Sequence, residues 1–270
     1  MGQTNRKKLI MNTLIKHLLT LVLAVAAVQA RAQVYPPTPL AGKQLTQEYL
    51  TQNLVYPESA LEAGQSGKVV VAFHVDEKGH GSDYSIKESF NEDANPIALD
   101  LVQRILWEPA TKDLLPIAYD MEYPVEFNAK AYKRYWRKRQ RVTVPLQLET
   151  NESYRIYELR ELEEHATPYF ADGNTMGKYI LSNLKYPEAA KASEIHGTVR
   201  LLFVVETDGS VSNIIVKNSV GGGCDNEAIR LLQETHWIPA VKNGKYVRSH
   251  NAQDITFNIG ARNYQDGNAY

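Results

Sequence analysis

The chain carries one pattern twice. Displaced by about 130 residues, Asn53-Leu54, Tyr56-Pro57-Glu58 and Ala60 fall on Asn183-Leu184, Tyr186-Pro187-Glu188 and Ala190. The register continues without a gap through Gly67 on Gly197, Val69 on Val199, Phe73 on Phe203, Gly79 on Gly209 and Ala98 on Ala228. It ends on Trp107-x-Pro109-Ala110 over Trp237-x-Pro239-Ala240 and Phe127 over Phe257. Roughly 23 of about 80 aligned positions are identical. A unit this long exceeds a solenoid repeat and fits two tandem copies of one small domain, each able to bury a modest core. The length of 270 residues agrees. The copies are placed at 45–128 and 166–262, after a leader at 33–44, joined by a linker at 129–165 and followed by a tail at 263–270.

The N-terminus constrains where the chain works. Arg6-Lys7-Lys8 and Lys16 precede an apolar run from Leu18 to Val28, and Ala30-Arg31-Ala32 has the form of a cleavage site. Residues 1–32 therefore read as a secretory signal peptide cut before Gln33. The run is about 15 residues long from Leu14, short of the roughly 20 a membrane span needs. An uncleaved inner-membrane anchor is the alternative. With Cys224 as the single cysteine, the chain has no internal disulfide. A formal net charge of −1 speaks against a nucleic-acid partner.

Each copy reads as helix, strand, strand, helix, strand. In the first, Thr46 to Asn53 is a helix, and Lys68 to Asp76 and Tyr84 to Ser89 form a hairpin. Asn95-Pro96 then opens a helix that ends at Trp107-Glu108-Pro109-Ala110, and Met121 to Phe127 is the last strand. In the second, Thr175 to Asn183 and Val199 to Glu206 are followed by the turn Asp208-Gly209, which favours a tight hairpin. Ser212 to Asn218 returns, Asp225 caps a helix striped by Ala228, Leu231 and Leu232, and Asp254 to Ile259 closes the unit. The fold class is α+β: two tandem domains, each a three-stranded antiparallel sheet with two helices on one face. In the linker, Lys130 to Arg141 is strongly basic, Val142 to Leu148 alternates like a strand, and Tyr157 to Glu164 reads as an acidic helix able to neutralise the basic run. That run is a solvated face or a contact to an anionic lipid or glycan.

Motifs for chemistry are absent. The chain has no P-loop, dinucleotide fingerprint, nucleophile elbow or zincin motif. Gly221-Gly222-Gly223 before a helix suits a sharp strand-to-helix turn, because Asp225 would repel a phosphate there. His74 and His80 flank one hairpin, but Val204 and Ser210 replace them in the other copy, so no metal is expected. Cys224 has no partner base fixed nearby and reads as a small buried thiol. No catalytic residue and no cofactor is assigned.

The ordered set Tyr186-Pro187-Glu188, Gly197-x-Val199, Phe203-Val204-Val205, Asp208-Gly209, Gly221-Gly222-Gly223-Cys224-Asp225, Trp237-x-Pro239-Ala240 and Asn243-Gly244-Lys245 resembles the TonB C-terminal domain, most closely the version common in Bacteroidetes. The first copy resembles the same family less fully. There Asn91 to Asn95 replaces the glycine-cysteine loop, and Asp113-Leu114-Leu115 replaces Asn-Gly-Lys. The resemblance implies a periplasmic protein without catalysis whose last strand pairs with a peptide of an outer-membrane transporter or other envelope protein. The matching edge is Asp254, Ile255, Thr256, Phe257 and Asn258, with Tyr186, Pro187, Gly197, Gly209, Gly221, Gly222, Gly223, Cys224, Trp237 and Pro239 building the fold around it. The family's energy transducers keep an N-terminal membrane helix and a long spacer, neither of which is clear here. An anchored transducer and a structural envelope scaffold stand as alternatives, and oligomeric state is not readable.

Overall fold

The computed structural model describes residues 33–137, 139 and 142–258. The signal-peptide segment 1–32, Ile259, the tail 263–270, and Lys138, Gln140 and Arg141 of the basic run lie outside the described residues. The first copy comprises β1 (Val34–Tyr35), β2 (Thr38–Pro39), α1 (Gly42–Asn53), α2 (Glu58–Glu62), β3 (Gly67–Val75), β4 (Gly81–Glu88) and α3 (Ala94–Gln103). It continues with β5 (Trp107–Glu108), β6 (Ala110–Lys112), β7 (Leu115–Ile117) and β8 (Tyr119–Phe127), and α4 (Ala129–Trp136) opens the linker. The linker holds β9 (Ile156–Tyr157) and a 3-10 turn at Leu159–Glu161, and β10 (Thr167–Tyr169) opens the second copy. The second copy has α5 (Met176–Asn183), α6 (Glu188–Ala192), β11 (Gly197–Val205), β12 (Val211–Asn218), α7 (Cys224–Gln233), β13 (His236–Ile238), β14 (Ala240–Lys242) and β15 (Lys245–Phe257).

The main sheet of the first copy has the order β4-β3-β8, all antiparallel; in the second, β12-β11-β15 repeats it and β14 extends it. The duplicated residues are those that lock each sheet to its helices. Tyr56 donates its hydroxyl to the Gln65 carbonyl at 2.5 Å and meets Phe127 edge-on, while Tyr186 does the same to Ile195 at 2.6 Å and meets Phe257. Phe73 lies 5.1 Å from Trp107 and Phe203 5.2 Å from Trp237, ring centre to ring centre. A Cβ at Gly79 would stand 2.1 Å from the Trp107 carbonyl oxygen, and one at Gly209 would stand 2.3 Å from that of Trp237. Only glycine lets the hairpin turn accept that approach, and its φ is positive in both copies. Each copy thereby has its own apolar core.

Several local expectations are corrected. Trp107 and Trp237 do not end a helix; Trp107 begins β5 and Trp237 is the middle residue of β13, strands paired to β2 and β10 respectively. The leader is therefore built into the first copy, with β1 on β6 and β2 on β5. The helix at Ala94–Gln103 starts one residue before Asn95-Pro96. Gly223, not Asp225, holds the N-cap position of α7; the Asp225 carboxylate accepts from the Val220 N–H at 3.0 Å. Val142 to Leu148 is no strand: Pro145 removes a ladder donor, and Val144 is buried over the Gly209 turn. The acidic helix is absent as well, since an isolated eight-residue helix is marginal. Its carboxylates bind main-chain donors instead, Glu161 taking the Glu158 N–H at 2.9 Å and Glu163 the Asn243 N–H at 3.0 Å.

The two copies meet at a junction formed by Leu45 of α1, which packs on the second core, and by a set of polar bonds. Arg248 and Glu206, 4% and 0% exposed, form a two-pronged pair at 2.7 and 2.8 Å. The same guanidinium donates to the Arg104 carbonyl of the first copy at 2.8 Å and to the Tyr154 carbonyl of the linker at 2.7 Å. Asn213, at φ 51, accepts from the Leu106 N–H at 2.8 Å and donates to the Arg104 carbonyl at 2.9 Å. Arg104 reaches Asp208 at 2.6 Å; burial alone would push that carboxyl up, but Arg104 and Ser210 hold it below its ordinary range. The aligned residues of the first copy, Asp76 and Ala118, cannot make the Glu206–Arg248 pair.

Two outcomes are expected from this architecture. Arg248→Met leaves the Glu206 carboxylate buried without its partner, so chemical denaturation should show a loss of about 3–5 kcal/mol; a loss below about 1 kcal/mol would contradict the junction. At the β6–β7 turn, Asp113 and Leu114 sit at φ 52 and 67, as Asn243 and Gly244 do at 51 and 67. Leu114→Gly should therefore raise stability, by about 1 kcal/mol in the same measurement.

Candidate functional site at the edge of the last strand

The last strand has one partnered side. Successive residues of a strand turn their main-chain N–H and C=O groups alternately to the two sides. In β15 the outward set is fixed by Tyr246, whose carbonyl accepts from the Asn151 N–H and whose N–H donates to the Glu149 carbonyl, both at 2.9 Å or less. Even-numbered residues thus face away from β14 and β11. Odd-numbered residues pair with β14 from Lys245 to Val247 and with β11 from Ser249 to Phe257. The linker covers the beginning of the outer side, where β9 runs parallel to Arg248 and Ser249. From His250 onward no strand pairs with it among the described residues.

Local side chains partly satisfy this open stretch. The Ala252 N–H donates to the Asn251 amide oxygen at 3.3 Å, and the Asp254 carbonyl accepts from the Gln253 amide at 2.8 Å. Both are short-range bonds that an incoming strand can replace. The same period sends Ile255 and Phe257, each 1% exposed, into the core, while Asp254, Thr256 and Asn258 are exposed. On that open face Asp254 lies 3.5 Å from Arg200, and the Thr256 hydroxyl 2.9 Å from the Thr198 hydroxyl. His250 lies 3.7 Å from Glu158, which borders the covered part.

The expected peptide-edge residues therefore divide. Asp254 and Thr256 present main chain to the open edge, whereas Ile255 and Phe257 direct theirs to β11 and their side chains to the core. His250 and Ala252 belong to the same outward row and were absent from the sequence-derived set. The signal that could have found them was the length of the strand, hidden because Arg248 to Gln253 is polar and reads as a loop. The remaining motif residues are scaffold. The glycines at 221–223 have φ of 77, 60 and 89, and a Cβ on Gly222 would stand 3.1 Å from Ala190 Cα. Cys224 is fully buried beneath them, and burial pushes its thiol up.

The first copy presents the same strand with one change. Pro124 sits opposite Val70 in the unbroken β3–β8 register, aligned with Asp254 opposite Arg200. A proline has no N–H, so within an intact ladder its nitrogen must face outward. Asp120, Glu122 and Glu126 share its row, and the middle donor of that edge is missing. Edge prolines obstruct pairing.

No triad of His, Cys, Asp or Glu able to hold a metal occurs among the described residues. His74 and His80 instead bind separate carboxylates, Asp120 at 2.8 Å and Asp76 at 3.1 Å. Nor is any described helix long and apolar enough to cross a membrane.

Comparison with known proteins places the chain in a family. No curated protein sequence matches the chain. The solution NMR structure of the Pseudomonas aeruginosa TonB CTD is similar at 26% identity, covering 38% of this chain and 94% of that one, with a TM-score of 0.28. The family model described as the Gram-negative bacterial TonB protein C-terminal matches twice, at residues 52–129 and 182–259, together more than half of the chain. The chain accordingly belongs to the TonB C-terminal family, as two tandem copies of its domain.

Proposed function

We propose that this protein is a non-catalytic periplasmic member of the family that binds a peptide segment of an outer-membrane transport or envelope protein by strand addition. The added strand lies on the outer edge of β15, from His250 through Asp254 to Asn258. Membership of the family places the chain in the cell envelope with an envelope-protein partner in general; the mode and the residues are our reading. The observation that carries it is the unpaired outer row His250, Ala252, Asp254 and Thr256, on an edge whose first residues already bond to the linker strand. Main-chain hydrogen bonds supply affinity in this mode, and alternate side-chain positions supply selectivity.

A second reading, an anchored energy transducer, is favoured by the family's own role. N-terminal sequencing of the exported protein separates the two: a start at Gln33 supports the first and ends the second.

The edge itself is tested by titrating the chain with N-terminal peptides of outer-membrane transporters and following amide shifts. The largest changes are expected at His250, Ala252, Asp254 and Thr256. Asp254→Pro copies the first copy's residue, keeps the β11 ladder and should weaken binding about tenfold. Unchanged affinity in that variant, or no shift in this row at millimolar peptide, would sink the reading.

A further inference from the structure

The basic run that follows the first copy is organised, and the peptide edge makes no use of it. Asn128 caps α4, its side chain accepting from the Ala131 N–H at 2.9 Å. Lys130, Lys133, Arg134 and Arg137 follow at helical positions i, i+3, i+4 and i+7, and so share one face. All four are exposed. A different face is the seated one: Ala129 is buried, and Tyr132 packs on the first core, 5.1 Å from Tyr56 and 6.4 Å from Trp136. The cationic stripe is thus turned to solvent. Arg139 adds a fifth exposed cation, its guanidinium 4.1 Å over the Tyr135 ring.

Among the described residues none of these five cations has a carboxylate within ion-pair distance. The acidic stretch expected to neutralise them is engaged elsewhere, Glu161 with Arg155 and Glu163 with the Asn243 turn. Like charges at i, i+3 and i, i+4 repel, and a cation in the first turn opposes the helix dipole. The chain as a whole carries a formal charge of −1, so the stripe is a local concentration and not a global bias. A convex row of cations has no socket for a peptide side chain; it matches a broad anionic surface. In the envelope of a cell the headgroup layer of a membrane is such a surface.

We infer that the exposed face of α4, Lys130, Lys133, Arg134 and Arg137, docks the protein on an anionic lipid bilayer. It holds the first copy at a membrane surface while β15 of the second copy takes its peptide. Attraction of this kind falls off within a Debye length, so the contact is reversible and salt-sensitive.

Both cores are built from residues after Lys43, so the test uses the chain that starts at Gln33. Its flotation is measured with phosphatidylcholine vesicles and with vesicles carrying about a third phosphatidylglycerol. Binding is expected to the anionic vesicles alone, and about 0.5 M salt should release it. Each cation contributes roughly a fivefold factor, so Lys130→Gln, Lys133→Gln, Arg134→Gln and Arg137→Gln together should lower partitioning more than about a hundredfold. That variant should keep the wild-type melting temperature, and any peptide affinity at β15 should be unchanged. Equal flotation with neutral vesicles, retention in the fourfold variant, or binding to a soluble polyanion without binding to vesicles would overturn the inference. Because the readout is lipid alone, it stands or falls separately from strand addition.

Discussion

A three-stranded sheet has one central strand and two edges, and the unpaired main chain of each edge must be covered, obstructed or used. Nearly everything distinctive about this chain follows from how its two copies meet that requirement. The central strands β3 and β11 are buried and equivalent. The edges are not. One edge of the second sheet, β12, is covered by the first copy through Asn213 and the Arg104–Leu106 main chain. The other, β15, is half covered by the linker and open beyond His250. In the first copy Pro124 obstructs the equivalent row.

This division explains which residues the copies share and which they do not. Shared residues build the fold: the Tyr-to-carbonyl bond over the edge-on Phe, the Phe–Trp contact, and the glycine turn that receives the Trp carbonyl. Residues that join or distinguish the copies differ between them: Glu206 and Arg248 against Asp76 and Ala118, Asp254 against Pro124, Gly244 against Leu114. A buried ion pair is weak evidence for net stability, because desolvation opposes the Coulomb gain. Its effect here is geometric. Arg248 lies where the linker leaves β15 and the open row begins, so one side chain fixes the first copy, the linker and the border of the site.

Much of this was legible from the residues and some was not, for physical reasons. The α+β class, the tandem organisation and the long strands followed from periodic apolar patterns, which burial on one face imposes. The polar first half of β15 was not recognised, since Arg248 to Gln253 faces the junction and solvent and lacks that alternation. β9 is two residues long, and its position is set by the strand it lies against. The acidic helix failed because Glu158, Glu161 and Glu163 serve turns instead of a helix face. Pro124 opposite Asp254 was visible in the repeat, but its meaning required the ladder register. The edge residues Asp254 and Thr256 were named from family resemblance; the separation of outward from inward residues came from the hydrogen-bond pattern.

Beyond His250, β15 offers one open main-chain row, which we propose is the acceptor. Native-state amide hydrogen exchange of the chain, read residue by residue with and without a transporter peptide, tests it most directly. The account predicts an alternation in the free protein, with His250, Asp254 and Thr256 exchanging fast while Asn251, Gln253 and Ile255 are protected by β11. Peptide should slow the fast set and leave Glu122 and Glu126 of the first copy unchanged. Uniform protection along the free strand, or slowing confined to the first copy, would contradict it.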